Sequence, residues 1–173
     1  FNFTTHRQNI IHGWTRNDFV KVKFVFAIIF SAIATIFNFL VALLFGLITT
    51  GSHFSFAGIE NVGYIFIQTV AYITFAMTLA ILFRKSGAAI AVFFLYGLIF
   101  EWLLTALINF QLHLTPVGYF LPLQVTDVML PIPFGDKVIY KGAPDEWILV
   151  IVSLLYIGAY YFFALKKFTK EDL

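Results

Sequence analysis

An all-α polytopic membrane fold is what this sequence predicts, and three observations predict it. Hydrophobic residues make up 61% of the chain and charged ones 12%, with a mean hydropathy of +0.91, whereas soluble domains carry about a quarter charged residues. Four apolar runs, Phe24 to Thr50, Tyr64 to Phe83, Ala88 to Phe110 and Trp147 to Leu165, match the ~20 helical residues that a ~30 Å hydrocarbon core requires. Only the third run holds a formal charge, Glu101, so the buried helices of a soluble protein are a poor alternative.

The segment before the first run, Thr4 to Lys23, sets four Lys/Arg residues and two helix-start signals directly against a run without a charge. Thr5-His6-Arg7-Gln8 and Thr15-Arg16-Asn17-Asp18 both fit the capping box, in which a hydroxyl and a side-chain acceptor three residues on satisfy orphan amides. Gly13 stands where a left-handed C-cap residue belongs. The pattern predicts a short helix from His6 to His12, a break, and a second helix that starts near Arg16 and runs into the membrane. Arg7, Ile10, Ile11 and Trp14 fall on one side of the short helix, with His6, Asn9 and His12 towards the other. Two readings fit: an interfacial anchor on anionic lipid, or a cytosolic helix that docks in a groove of a soluble partner.

Sidedness follows from Lys and Arg. Arg7, Arg16, Lys21 and Lys23 precede the first run, Arg84 and Lys85 follow the second, and Lys166, Lys167 and Lys170 follow the fourth. The opposite side has Lys137 and Lys141 beside Asp127, Asp136, Asp145 and Glu146, so the positive-inside rule places both ends in the cytosol. Trp14, Tyr64, Trp147 and the pair Tyr160/Tyr161 fall near the expected interfaces. No charged n-region with a short apolar stretch opens the chain, so no signal peptide is expected. Without cysteine, disulfides and thiolate metal sites are excluded.

Arg84-Lys85-Ser86-Gly87 is a tight turn that makes the second and third spans an antiparallel pair. The outer loop, residues 111–146, is less ordinary. Its stretch from Leu114 to Phe134 is apolar yet broken by Pro116, Pro122, Pro131 and Pro133, which with Asp127 excludes a spanning helix. Thr115-Pro116 suits a helix start with Pro in the first helical position. One or two short helices dipping into the outer leaflet, or a cap lying flat on the surface, both satisfy this composition.

Glu101 is the only acid within a span, and intramembrane ionisable residues are functional suspects by default. At 1.5 Å per residue, Glu101 and Asn38 each lie roughly 20 Å from the cytosolic ends of their helices, and Thr69 lies at similar height. The three are therefore expected to share a layer, with Glu101 held by Asn38 and Thr69, facing a wet translocation path, or protonated and bonded between helices. His53 and His113 sit just beyond helix ends. Two imidazoles without a cysteine or carboxylate pair make a weak metal site, and exposed loop histidines are expected. Ala32, Ala34, Ala42 and Gly46 allow close helix approach in the first span without marking an interface by themselves.

Enzyme classes fit poorly. The spans hold one Glu and no Asp, Lys or His, whereas aspartyl chemistry needs two acids and serine chemistry a base. Neither H-E-x-x-H nor G-x-x-x-x-G-K-[ST] occurs, and no span supplies an axial haem histidine.

The run R-Q-N-I-I-H-G-W-T-R-N-D-F-V-K-V-K, followed at once by a long apolar helix, resembles the segment before the third membrane helix of ABC-2 type exporter permeases. The family pattern there is close to R-Q-N-I-I-D-G-x-S-R-x-x-F-x-x-x-K. Arg7, Gln8, Asn9, Ile10, Ile11, Gly13, Arg16, Phe19 and Lys23 match; His12 replaces the usual acid and Thr15 the usual Ser. The resemblance implies that Arg7 to Trp14 and Arg16 form a coupling helix against an ATP-binding subunit. It also implies a six-helix fold of which this chain holds helices three to six, with short re-entrant helices in the outer loop. A second permease subunit, identical or different, is implied as well. ATP and Mg would be bound by the partner subunit, leaving this chain no cofactor of its own. Membrane lipid is an expected partner and nucleic acid is not. A plasma (inner) membrane location follows, and a non-transporting anchor or scaffold is the alternative.

Overall fold

The structure is a computed structural model that describes residues 16–50, 55–83, 85–130, 140 and 142–170. Among these, all regular structure is helical. Four helices are long and apolar enough to cross a membrane: α1 (Arg16–Thr50), α2 (Glu60–Phe83), α3 (Ser86–Gln111) and α5 (Glu146–Lys170). A 3-10 turn at Val117–Phe120 and the four-residue helix α4 (Gln124–Asp127) lie in the connection between α3 and α5. Each long helix outruns its apolar run because polar residues continue the helix beyond it. α1 has 35 residues, about 52 Å at helical rise, against a core of ~30 Å. Its first turns are correspondingly polar, with Lys21 paired to Asp18 at 3.9 Å and Lys23 over the Phe19 ring.

α2 is the central helix and packs on α1, α3, α4 and α5. Small residues make this possible: Ala71 and Thr74 on α2, Ser153 and Ala164 on α5 and Ala27 and Ser31 on α1 are buried, so backbones approach closely. One apolar cluster joins α1 to α5 and α2 near the Lys-rich ends, with Val20, Phe24 and Ala164 buried against Met77, Ile81 and Leu165. The other gathers Tyr119, Val125, Val128, Met129 and Leu149, with Tyr64, Ile67 and Tyr156 packed on them. The second cluster is built largely from the connection, which therefore forms part of the core.

α3 is not uniform. π turns at Tyr96–Phe100 and Leu107–Gln111 flank an α-helical centre at Glu101–Ala106. It ends where His113 takes φ 53, a left-handed conformation that reverses the chain. The Leu114 amide then reaches back to the Ile108 carbonyl at 3.1 Å. Pro116 was expected in the first helical position but occupies the N-cap of the 3-10 turn, with φ −101 and ψ 19. The chain leaving His113 first bonds Leu114 back to Ile108, and helical geometry begins only at Val117. The short helix expected from His6 to His12 and its break at Gly13 lie outside the described residues.

Candidate functional site

Four residues of α3 recur at helical spacing on one face, Gly97, Glu101, Thr105 and Asn109, and all meet the connection. Glu101 is 1% exposed. Its Oε1 accepts hydrogen bonds from the backbone amides of Leu123 at 2.7 Å and Gln124 at 3.0 Å, the N-cap and first residue of α4. A carboxyl oxygen on orphan amides at a helix start satisfies donors that the helix cannot satisfy itself. The Thr105 hydroxyl donates to the Glu101 carbonyl at 2.9 Å, with the Gly118 carbonyl at 3.2 Å. Asn109 Oδ1 accepts from the Gly118 amide at 2.8 Å, and its carbonyl accepts from Thr115. A Cβ on Gly118 would lie 2.7 Å from Asn109 Oδ1, so this approach requires glycine. Gly97 lies beside Leu123, whose Cδ1 would be in ordinary contact, 3.4 Å, with an added Cβ.

The other side of the connection is tied to α2 and α5. Asp127, the last residue of α4, accepts from Gln68 Nε2 at 2.7 Å and from the Tyr72 hydroxyl at 2.7 Å. Burial pushes the Asp127 carboxyl up, and the bonds from Tyr72 and Gln68 oppose that shift. The Tyr156 hydroxyl of α5 donates to the Phe120 carbonyl at 2.9 Å, and at the helix ends the Tyr64 hydroxyl donates to Glu146 at 2.6 Å. Aromatic rings fill the space behind: Phe75 packs on Phe93, Tyr96 and Tyr160, and Tyr160 stacks on Tyr156. The connection is thus a wedge held by three spans. The hollow beside it, lined by Trp102, Thr105, Phe110, Tyr119 and Gln124, measures about 230 Å³, less than the ~300–1,000 Å³ of ordinary ligand pockets.

The layer expected from helix rise is not assembled. Asn38 is exposed and donates to its own helix, at the Ala34 carbonyl. Thr69 donates to Ile65, and Glu101 turns to α4 and is closed off within the chain rather than facing a wet path. Helix rise sets depth, but contact also needs the faces to converge, and the wedge takes the position that Asn38 and Thr69 were expected to fill. Of the coupling-helix residues, Arg16 begins α1, and Arg7, Gln8, Asn9, Ile10, Ile11, His12, Gly13 and Trp14 lie outside the described residues, as does His53. His113 is exposed at the end of α3. The four-residue spacing of Glu101, Thr105 and Asn109, and of Gln68 and Tyr72, was the signal that identifies the wedge's anchors.

The family model DUF2705, described as a protein of unknown function, matches residues 1–173. The chain belongs to the DUF2705 family. No curated protein and no solved structure matches this DUF2705 member.

Proposed function

We propose that this DUF2705 protein is the permease subunit of an ABC-2 type exporter, moving its substrate with ATP hydrolysed on a separate subunit. The observation that carries the reading is the segment from Arg7 to Lys23, which resembles the family's coupling helix and runs directly into a long apolar helix. The helix α1 supports it: unbroken from Arg16 to Thr50, it is a stiff lever that transmits a push on its polar end into the membrane. The Lys and Arg distribution supports cytosolic ends. The wedge supports the re-entrant reading, because Leu123 and Gln124 meet Glu101 roughly 15 Å inward from the Gln111 end of α3. The bonds from the Leu123 and Gln124 amides close Glu101 within one chain, which fits a structural role for it beside the transport path.

Purification from native membranes, with identification of copurifying chains, tests this. An ATP-binding subunit is expected, with ATPase activity that Ile10→Ala and Gly13→Ala, or Arg16→Ala, reduce without lowering permease expression. A preparation that contains no ATPase, and variants that behave as wild type, would establish an anchor or scaffold instead.

A further inference from the structure

Two carboxyl groups close on the same short helix from opposite ends. Glu101 of α3 meets α4 at Leu123 and Gln124, and Asp127 is the last residue of α4. One turn of helix rises about 5 Å, so little more than that turn separates the two acids. The titratable groups around them are all tyrosines: Tyr72 from α2, Tyr96 from α3, Tyr140 from the connection, and Tyr156 and Tyr160 from α5. No Lys, Arg or His among the described residues acts on either carboxyl. Two neighbouring negative charges in an apolar interior, with no cation between them, are costly enough that one of the acids stays neutral.

The donors around each oxygen distinguish the two. Asp127 accepts on both oxygens, from Gln68 Nε2 and the Tyr72 hydroxyl on Oδ1, and from the same hydroxyl on Oδ2 at 2.9 Å. That arrangement suits an ionised group, which only accepts. Glu101 takes both of its bonds on Oε1, and no donor among the described residues reaches Oε2. A buried carboxyl oxygen that accepts nothing is the natural seat of a proton. Tyr160, 9% exposed, lies within electrostatic reach of Glu101, and its buried hydroxyl has no hydrogen-bond partner. Polar capacity is therefore left over on the side of Glu101 as well. The helix also lets Glu101 move. The block Glu101–Ala106 lies between two π turns, and shifting such a turn by one residue rotates what lies beyond it by about 100°.

We propose that Glu101 and Asp127 form a proton-binding site that seats the connection: Glu101 carries the proton on Oε2 while Asp127 carries the charge, and loss of that proton to water releases α4 from α3. Once ionised, Glu101 is repelled by Asp127 and is poorly placed in an apolar interior, and rotation of its block turns it away from α4. The seated state binds a proton that the released state gives up, so seating is complete at acid pH and is lost as pH rises. The site concerns the seating of the connection alone and stands apart from the exporter reading.

Infrared spectra of the full chain in lipid vesicles test the proton. A neutral-carboxyl band is expected at neutral pH, lost in Glu101→Gln and kept in Glu146→Gln. In Asp127→Asn the band is expected to disappear at a pH roughly one unit lower than in the wild type, because the neighbouring charge is gone. Hydrogen exchange at Leu123 to Val128, taken relative to the unfolded segment, is expected to rise about tenfold from mildly acidic to mildly alkaline pH. Glu101→Gln should abolish that dependence, since its amide oxygen accepts the same two bonds without a charge. No neutral-carboxyl band in the wild type, a band that survives Glu101→Gln, a band whose titration is unmoved in Asp127→Asn, or exchange with the same pH dependence in Glu101→Gln would overturn the site. Neither readout needs an ATP-binding subunit, so the absence of one removes the exporter reading and leaves this site in place.

Discussion

In α3 the mid-helix polar side chains reach across to another segment: Glu101 bonds the amides of Leu123 and Gln124, and Asn109 bonds that of Gly118. In α1 the corresponding side chains turn back on their own helix, Ser31 to Ala27 and Asn38 to Ala34. The two helices are similarly apolar and contain similar polar groups. The difference is that α3 faces a folded connection whose backbone amides need acceptors, whereas Asn38 on α1 is exposed among the described residues. A polar residue in a membrane helix thus acts as a staple or as an open bond, depending on what its face meets.

The comparison breaks most sharply at Glu101. Glu101→Ala leaves two buried amides without an acceptor and is expected to cost roughly 3 kcal/mol, read as a shift in detergent-induced unfolding. Glu101→Gln retains an acceptor oxygen and should cost about 1 kcal/mol. A carboxylate needed for transport would instead lose activity in Glu101→Gln with stability nearly intact. Next is Gly118→Ala, which forces Asn109 out of its bond and is expected to cost about 2 kcal/mol. Combined with Asn109→Ala it should cost less than the two changes summed, since the colliding side chain is gone. Loss of the α2 tie in Asp127→Ala should cost about 1 to 2 kcal/mol and loosen the wedge, seen as faster hydrogen exchange at Leu123 to Val128.

The smallest effect on monomer stability is expected in α1. Asn38→Leu removes only an exposed bond to the same helix, so unfolding of the monomer should shift by less than about 0.5 kcal/mol. Equal destabilisation by Asn38→Leu and Glu101→Ala would remove the distinction between the two helices.

Part of the wedge was legible in the sequence. Four prolines and Asp127 exclude a spanning helix between α3 and α5, and Glu101 stands out as the one acid within a span, whereas Gly97, Thr105 and Asn109 were not singled out. What Glu101 meets was not legible. The partner atoms are mostly backbone amides and carbonyls, which carry no sequence signature, and their placement depends on the reversal at His113. Asn38 and Glu101 show the same division. Their matched depth follows from counting residues, but their separation follows from the direction in which each helix faces.

The sequence by itself determined four helices of spanning length and the polar residues within them, because hydropathy and helical rise are local properties of each segment. Only the tertiary structure decided that Glu101 caps α4, that Asp127 ties α4 to α2, and that Asn38 bonds its own helix rather than Glu101. Those outcomes depend on which faces converge and on how a proline-broken connection fits between three helices, and both are set by packing across the whole bundle.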